Sequence, residues 1–224
     1  MTTILVIGAS RGIGREFVRQ YAADGARVLG TARSEDGLAA VRQAGGEPLV
    51  LDVLDAPAVA ALPAQLDGRR IDVAIINAGV YGPRVSSLVK PGNDEFDLVM
   101  RTNVRAPMQL ICALAQVMTA SRGKLAVISS RMGSVSLMSS SAGWLYRASK
   151  AAVNSAVRAA SLDLGPKGVV CIAFHPGWVR TDMGGAGADI DATTSVSGMR
   201  HVLTAANESH NGKFLNYGGE HLAW

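Results

Sequence analysis

The feature that most constrains this chain is a cluster of glycines set between two kinds of periodicity. The apolar run Ile4-Leu5-Val6-Ile7 leads straight into Gly8-Ala9-Ser10-Arg11-Gly12-Ile13-Gly14, and an amphipathic stretch follows over Ile13–Asp24. A strand that becomes a helix within a few residues needs backbone freedom at the turn, and glycine supplies it. The helix start that results offers unpaired N–H groups and the positive end of its dipole to phosphates. The spacing is G-x-x-x-G-x-G, and no Gly-Lys-Ser/Thr follows, which disfavours a P-loop. The segment reads as a dinucleotide-binding turn contributed by Gly8, Ser10, Arg11, Gly12, Ile13 and Gly14, with a purely structural glycine turn as the alternative.

The same alternation runs on. Short apolar stretches at Ile4–Ile7, Arg27–Thr31, Pro48–Leu51, Val73–Ile76, Lys124–Ser129, Val169–Phe174 and Lys213–Asn216 predict strands. Helical patterns separate them at Ile13–Asp24, Ser34–Ala44, Ala56–Leu66, Asn93 to about Thr119, Tyr146–Leu164 and Val196–Asn207. This order implies an α/β fold: a Rossmann-like, doubly wound parallel sheet of about seven strands with helices on both faces and right-handed crossovers. With 224 residues, 48% of them hydrophobic and 18% charged, one such domain spanning residues 1–224 is expected. The Ser-rich stretch Ser134–Ser141 follows a strand and reads as an active-site loop, and Gly184–Thr194 reads as a mobile one.

Several function classes are disfavoured. The net charge is only +4 and no Lys/Arg run occurs, so a nucleic-acid partner is not expected. No segment approaches the ~18 uninterrupted apolar residues of a membrane span, and the N-terminus reads as a strand rather than a signal peptide. A cytoplasmic protein without a membrane partner is the expectation. Cys112 and Cys171 lie far apart in apolar segments and read as buried free thiols, and no metal site is read.

The end of the second strand should select the cofactor. An acidic residue there would hold a ribose 2′-hydroxyl and indicate NAD. Here the segment is Gly30-Thr31-Ala32-Arg33-Ser34, with no carboxylate. Arg33, joined by Arg11, suits a 2′-phosphate, because a guanidinium matches phosphate oxygens. NADP(H) is therefore expected over NAD(H), with two solvated surface arginines as the alternative.

Tyr146-Arg147-Ala148-Ser149-Lys150 places Tyr146 and Lys150 on one helix face. A free phenol has a pKa of about 10. A nearby ammonium and an oxidised nicotinamide would favour the phenolate and lower it, making Tyr146 an acid/base near neutral pH. A surface Tyr–Lys pair would show the same spacing.

Taken together, Gly8–Gly14, Asp52-Val53, Asn77-Ala78-Gly79, Asn103, Ile128-Ser129-Ser130, Tyr146-x-x-x-Lys150 and Pro176-Gly177 resemble the short-chain dehydrogenase/reductase family over nearly the full chain. The stretch His175–Met183 is similar to a compact bacterial branch of that family, related to C-factor and fly carbonyl-reductase-like proteins. The resemblance implies that Asp52 and Val53 meet the adenine and that Asn77, Ala78 and Gly79 line the cofactor cleft. It implies that Pro176, Gly177, Val179 and Thr181 lie near the nicotinamide carboxamide, and that Lys150 also binds the nicotinamide ribose. Read from the residues alone, Asp52 also suits a turn or a helix cap, Asn77–Gly79 an ordinary turn, and Asn103 a solvent-facing helical position.

The catalytic set implied is Ser130, Tyr146, Lys150 and Asn103. Tyr146 would be the acid/base, Ser130 the group that orients the substrate oxygen, and Lys150 the pKa modulator. Asn103 would bend its helix and hold a relay water. Ser130 precedes Tyr146 by 16 residues, a slightly long loop, so Ser134 is the runner-up, and Ser129 is expected to point into the sheet. The reaction implied is hydride transfer between NADP(H) and a small carbonyl or alcohol substrate. Val80, Tyr81, Met132, Met138, Trp144, Trp178 and Met183 are candidate pocket residues, suggesting a hydrophobic ketone or aldehyde or else ordinary core packing. Relatives commonly pair the helices Asn103–Thr119 and Tyr146–Leu164 across subunits, so a homodimer or homotetramer is expected. A non-catalytic dinucleotide sensor on the same fold is the alternative function.

Overall fold

The computed structural model describes residues 1–224. Seven strands form one sheet: β1 (Thr3–Ile7), β2 (Arg27–Ala32), β3 (Glu47–Val50), β4 (Val73–Ile76), β5 (Lys124–Ile128), β6 (Val170–His175) and β7 (Lys213–Asn216). Their order is β3-β2-β1-β4-β5-β6-β7, and every neighbouring pair is parallel. Between them run α1 (Gly12–Ala23), α2 (Glu35–Gln43), α3 (Ala56–Gln65), α4 (Asn93–Met100), α5 (Ala106–Ser121), α6 (Trp144–Leu164) and α7 (Ala192–Ala205).

The period-2 geometry of β1 shows why the sheet needs two helical layers. Leu5 and Ile7 face one core with Val59, Leu62, Leu110, Leu114, Val153 and Val157, which α3, α5 and α6 supply. Ile4 and Val6 face a second core with Phe17, Val18, Val41, Val196 and Met199, which α1, α2 and α7 supply. Both faces of the central strands are thus apolar, the usual condition of a parallel sheet. No helix is long and apolar enough to cross a membrane.

The expected elements form, with local corrections. The pattern beginning at Asn93 is not one helix. A widened π turn over Arg101–Arg105 separates α4 from α5, and Asn103 lies in it, buried rather than solvent-facing. Helix α6 starts at Trp144, two residues before the expected start, and α7 starts at Ala192 rather than Val196. The cause at α7 is a cap: the Asp191 carboxylate accepts from the Thr194 N–H at 2.7 Å. Ala192, Thr193 and Thr194 therefore belong to a helix and not to a mobile loop. Both cysteines are free, Cys171 being buried and Cys112 exposed on α5, so burial holds for only one of the two thiols.

The order reverses direction between β1 and β4, and the chain leaves these two strands toward opposite sides. That leaves a crevice beyond their C-terminal ends, the position where open α/β sheets bind ligands.

Candidate active site

The glycine loop is shaped by what stands behind it. Gly8 has φ +85°, and a Cβ there would lie 2.8 Å from the Ala78 backbone. A Cβ on Gly14 would lie 2.0 Å from the Gly8 carbonyl oxygen and 2.6 Å from Asn77 Nδ2. That amide donates to the Gly8 oxygen at 2.7 Å, locking the loop to the end of β4. Gly14→Ala is therefore expected to cost about 2–3 kcal/mol of stability and to weaken dinucleotide binding. Thermal melting and a fluorescence titration with NADPH would check both.

The caps of α1 differ from those of its neighbours. Ser34 caps α2 and Asp55 caps α3 with their side chains, whereas the start of α1 has no side-chain cap. Its first-turn N–H groups stay available to an anion. They open into a cavity of about 550 Å³ whose walls include Gly8, Ser10, Arg11, Gly12, Ile13, Arg33, Asp52 and Val53 at one end. Asn77, Ala78, Gly79, Tyr146, Lys150, Pro176 and Thr181 line the remainder. An elongated cavity with an uncapped helix start, two arginines at one end and a Tyr–Lys pair at the other fits a phosphorylated dinucleotide.

Not every sequence-proposed residue reaches this wall. Gly14 lies behind the loop. Val179 is buried and bridges to Ile190, and a Cβ on Gly177 would meet Ile190 and the Tyr217 ring. These residues shape the segment after β6 rather than line the cavity. Asp52 accepts from the Leu54 N–H at 2.9 Å through one carboxylate oxygen, so it is a turn residue that also faces the cavity. Arg11 pairs with Asp182 at 3.2 Å, both strongly exposed, while Arg33 has no ion-pair partner.

At the inner end, β5 and α6 bring the reactive side chains together. Tyr146 and Lys150 are both buried, and Lys150 Nζ sits 5.6 Å from the centre of the Tyr146 ring. The Lys150 ammonium donates to the Ile128 carbonyl at 2.9 Å, and burial pushes its pKa down to about 8. Burial also raises the Tyr146 phenol well above its usual range. The Ser130 hydroxyl opposes that shift and the Tyr81 ring adds to it. In the protein alone desolvation outweighs the Ser130 hydrogen bond, whereas the lowering expected from the sequence belongs to the site with an oxidised nicotinamide bound. Tyr146 is therefore held as a neutral phenol, the form that gives up a proton.

Ser130 directly follows β5, and its Oγ accepts from the Met132 N–H at 3.1 Å. Ser134 is fully buried and accepts from Leu137 N–H within its own turn, while Ser129 donates to Asn154 at 2.5 Å. Of the three serines, Ser130 is the one beside the phenol. The Asn103 amide accepts from Val80 N–H at 2.9 Å and donates to Val80 O at 2.7 Å and Ser149 Oγ at 3.0 Å, which uses both its N–H groups and leaves one lone pair on its oxygen. Its side chain thus pins the strand exit at Gly79–Val80.

Ser149 escaped sequence reasoning, and Tyr81, expected only as a pocket residue, proves to be a direct partner of Tyr146. Ser149 carries the link between Asn103 and α6, and its place inside Tyr146-x-x-x-Lys150 was the only available signal. Tyr81 stacks on Tyr146 with ring centres 4.6 Å apart, and the Arg84 guanidinium lies 4.9 Å from the Tyr81 ring centre.

The model of the short chain dehydrogenase family matches residues 2–213. This chain belongs to the short-chain dehydrogenase/reductase family. C-signal of Myxococcus xanthus is 39% identical over 158 residues, which span 69% of this chain and 93% of that protein. A short-chain dehydrogenase/reductase from Burkholderia multivorans with bound NADP superposes at a TM-score of 0.91 with 31% identity, over 100% of this chain and 99% of its own. The carbonyl reductase Sniffer of D. melanogaster superposes at 0.90 with 28% identity, over the whole of both chains. The short-chain dehydrogenase/reductase family is one of oxidoreductases.

Proposed function

We propose that this protein is an NADPH-dependent carbonyl reductase working on small-molecule ketones or aldehydes. The observation that carries the reading is the placing of a buried, neutral Tyr146 phenol beside Ser130 and Lys150, at the inner end of a cavity whose other end presents Arg33 and Arg11.

Bound in that cavity, the dinucleotide would supply the hydride that reduces the carbonyl carbon. The protein's own residues handle the oxygen. Ser130 Oγ and the Tyr146 hydroxyl hold it, and Tyr146 gives it a proton as negative charge builds there. The Lys150 ammonium, kept dry and fixed by the Ile128 carbonyl, stabilises the phenolate left behind. One C–H and one O–H bond form, so the carbonyl becomes an alcohol. Asn103 keeps the Gly79–Val80 wall in place through its bonds to Val80.

The preference for NADPH rests on Arg33, which lines the cavity without an ion-pair partner. A charge-assisted contact to a 2′-phosphate is worth about 1.5–3 kcal/mol. Arg33→Ala is therefore expected to weaken NADPH binding about 10- to 100-fold and NADH binding less than about threefold. The test is fluorescence titration with both cofactors, together with NADPH consumption by the wild type over a panel of ketones and aldehydes. Equal losses for the two cofactors would remove Arg33 from the assignment, and no consumption with any carbonyl would overturn the reductase reading.

A cytoplasmic homo-oligomer completes the proposal. Met108 on α5 and Leu162 on α6 stand exposed on the two helices that relatives commonly pair.

A further inference from the structure

Large apolar side chains stand exposed on all three loops that follow β4, β5 and β6. Leu88 is 73% exposed, Val135 68%, Trp178 53% and Met138 46%. The loops are tied to one another. Gly143 N–H donates to Val85 O at 2.9 Å and Trp144 Nε1 to Val89 O at 3.1 Å, joining the β4 and β5 loops. Arg84 donates to the Met183 carbonyl at 2.6 Å, joining the β4 loop to the segment after β6. These bonds join the three loops into one collar, and the exposed apolar side chains are carried on it.

The collar is continuous with the reactive end of the cavity. Tyr81 stacks on Tyr146, and a Cβ on Gly143 would meet both the Tyr81 hydroxyl at 2.5 Å and Met132 Cε at 3.2 Å. Gly143 has φ +64°, so the bare backbone there makes room for the Tyr81 ring to lie against the catalytic phenol. Charge is sparse on this wall. No charged residue occurs from Met132 to Tyr146, Arg84 is the one cation between Asn77 and Val89 with Lys90 at its border, and Arg180 and Asp182 after β6 are paired with Asp191 and Arg11. The Arg84 guanidinium is already taken up by the Tyr81 ring and the Met183 carbonyl. Apolar patches of this kind mark ligand grooves or partner surfaces. Continuity with Tyr146 through Tyr81 favours the ligand.

We propose that the substrate carries its carbonyl on an extended, uncharged apolar body, which lies along the collar of Tyr81, Val89, Met138, Trp144 and Trp178 while the carbonyl sits at Tyr146. The proposal rests on the reading of Tyr146 as the group that meets a carbonyl. It assigns specificity to a surface outside the dinucleotide cavity, with Tyr81 as the joint between the two.

Isothermal titration of the NADP-saturated protein with unbranched primary amides, from butyramide to octanamide, tests it. These compounds present a carbonyl but resist hydride transfer. Each added methylene is expected to lower Kd about two- to fourfold, and Val89→Asn and Met138→Asn, both at exposed positions, are expected to flatten that slope. A Kd that does not change along the series, no binding by any member, or a slope unchanged in both variants would overturn the proposal and leave the collar as a contact for another protein chain. The same series as aldehydes, followed through NADPH consumption, separates the two readings. Turnover of short aldehydes with flat amide binding removes the substrate class and keeps the reductase. Rising amide affinity without turnover of any aldehyde keeps the class and removes the reductase.

Discussion

Tyr146→Phe is expected to lower kcat for NADPH-dependent carbonyl reduction about 10³-fold, while the Kd for NADPH changes less than about twofold. The substitution removes one hydroxyl and keeps the ring. The stack on Tyr81 and the packing of α6 against the sheet therefore survive. What is lost is the hydroxyl beside Ser130 that hands a proton to a developing alkoxide in this buried corner. A loss of ~10³ corresponds to about 4 kcal/mol of barrier, within the range of a positioned general acid. Steady-state kinetics with a reducible aldehyde, paired with a fluorescence titration, would check it. A variant that keeps a tenth of the wild-type kcat would shift the acid role away from Tyr146.

Lys150→Met is expected to abolish most turnover and at the same time to stabilise the protein without cofactor. Burial lowers the folded-state pKa of Lys150 to about 8 from its usual 10.5, so holding this ammonium in the core opposes folding. The sign follows from linkage: with the folded pKa below the unfolded one, the cost is full below pH ~8 and fades as pH rises toward ~10.5. At pH 7 the cost is about 3 kcal/mol, and losing the bond to the Ile128 carbonyl returns about 1 kcal/mol of it. A net gain of about 2 kcal/mol should raise Tm by about 4–8 °C at pH 7 and by much less at pH 10. Calorimetry at the two pH values reads this directly. A Tm that falls at pH 7 would mean that the ammonium is stabilised where it stands.

The second prediction places function and stability in opposition at one side chain, a pattern that functional sites commonly show. The same geometry explains how much of this site the sequence could reveal. The glycine loop was legible because a close backbone approach excludes every side chain but hydrogen, and Gly14 against the Gly8 carbonyl is such a place. The sheet was legible because strands buried on both faces must be apolar throughout, as Val73–Ile76 is. Tyr146 and Lys150 were legible as a pair because helical spacing is local.

What escaped the sequence was whatever depends on contacts between distant segments. The Asn103 amide could have faced solvent, but the fold turns it onto Val80 and Ser149, which lie 23 and 46 residues away. The upward push on the Tyr146 phenol in the protein alone was not legible either, because burial is a property of packed neighbours and not of the sequence around residue 146. Ser134 stood as the runner-up to Ser130 by loop length, and its hydroxyl proved to be enclosed in its own turn.

The sequence by itself determined the parallel α/β sheet, the dinucleotide turn and the Tyr146–Lys150 pair, since strand and helix periods, glycine sterics and i,i+4 spacing are set by near neighbours along the chain. Only the tertiary structure decided that Tyr146 lies buried against Tyr81, that the Lys150 side chain is buried on the Ile128 carbonyl, and that three loops join into an apolar collar, because desolvation and stacking arise only where distant segments pack together.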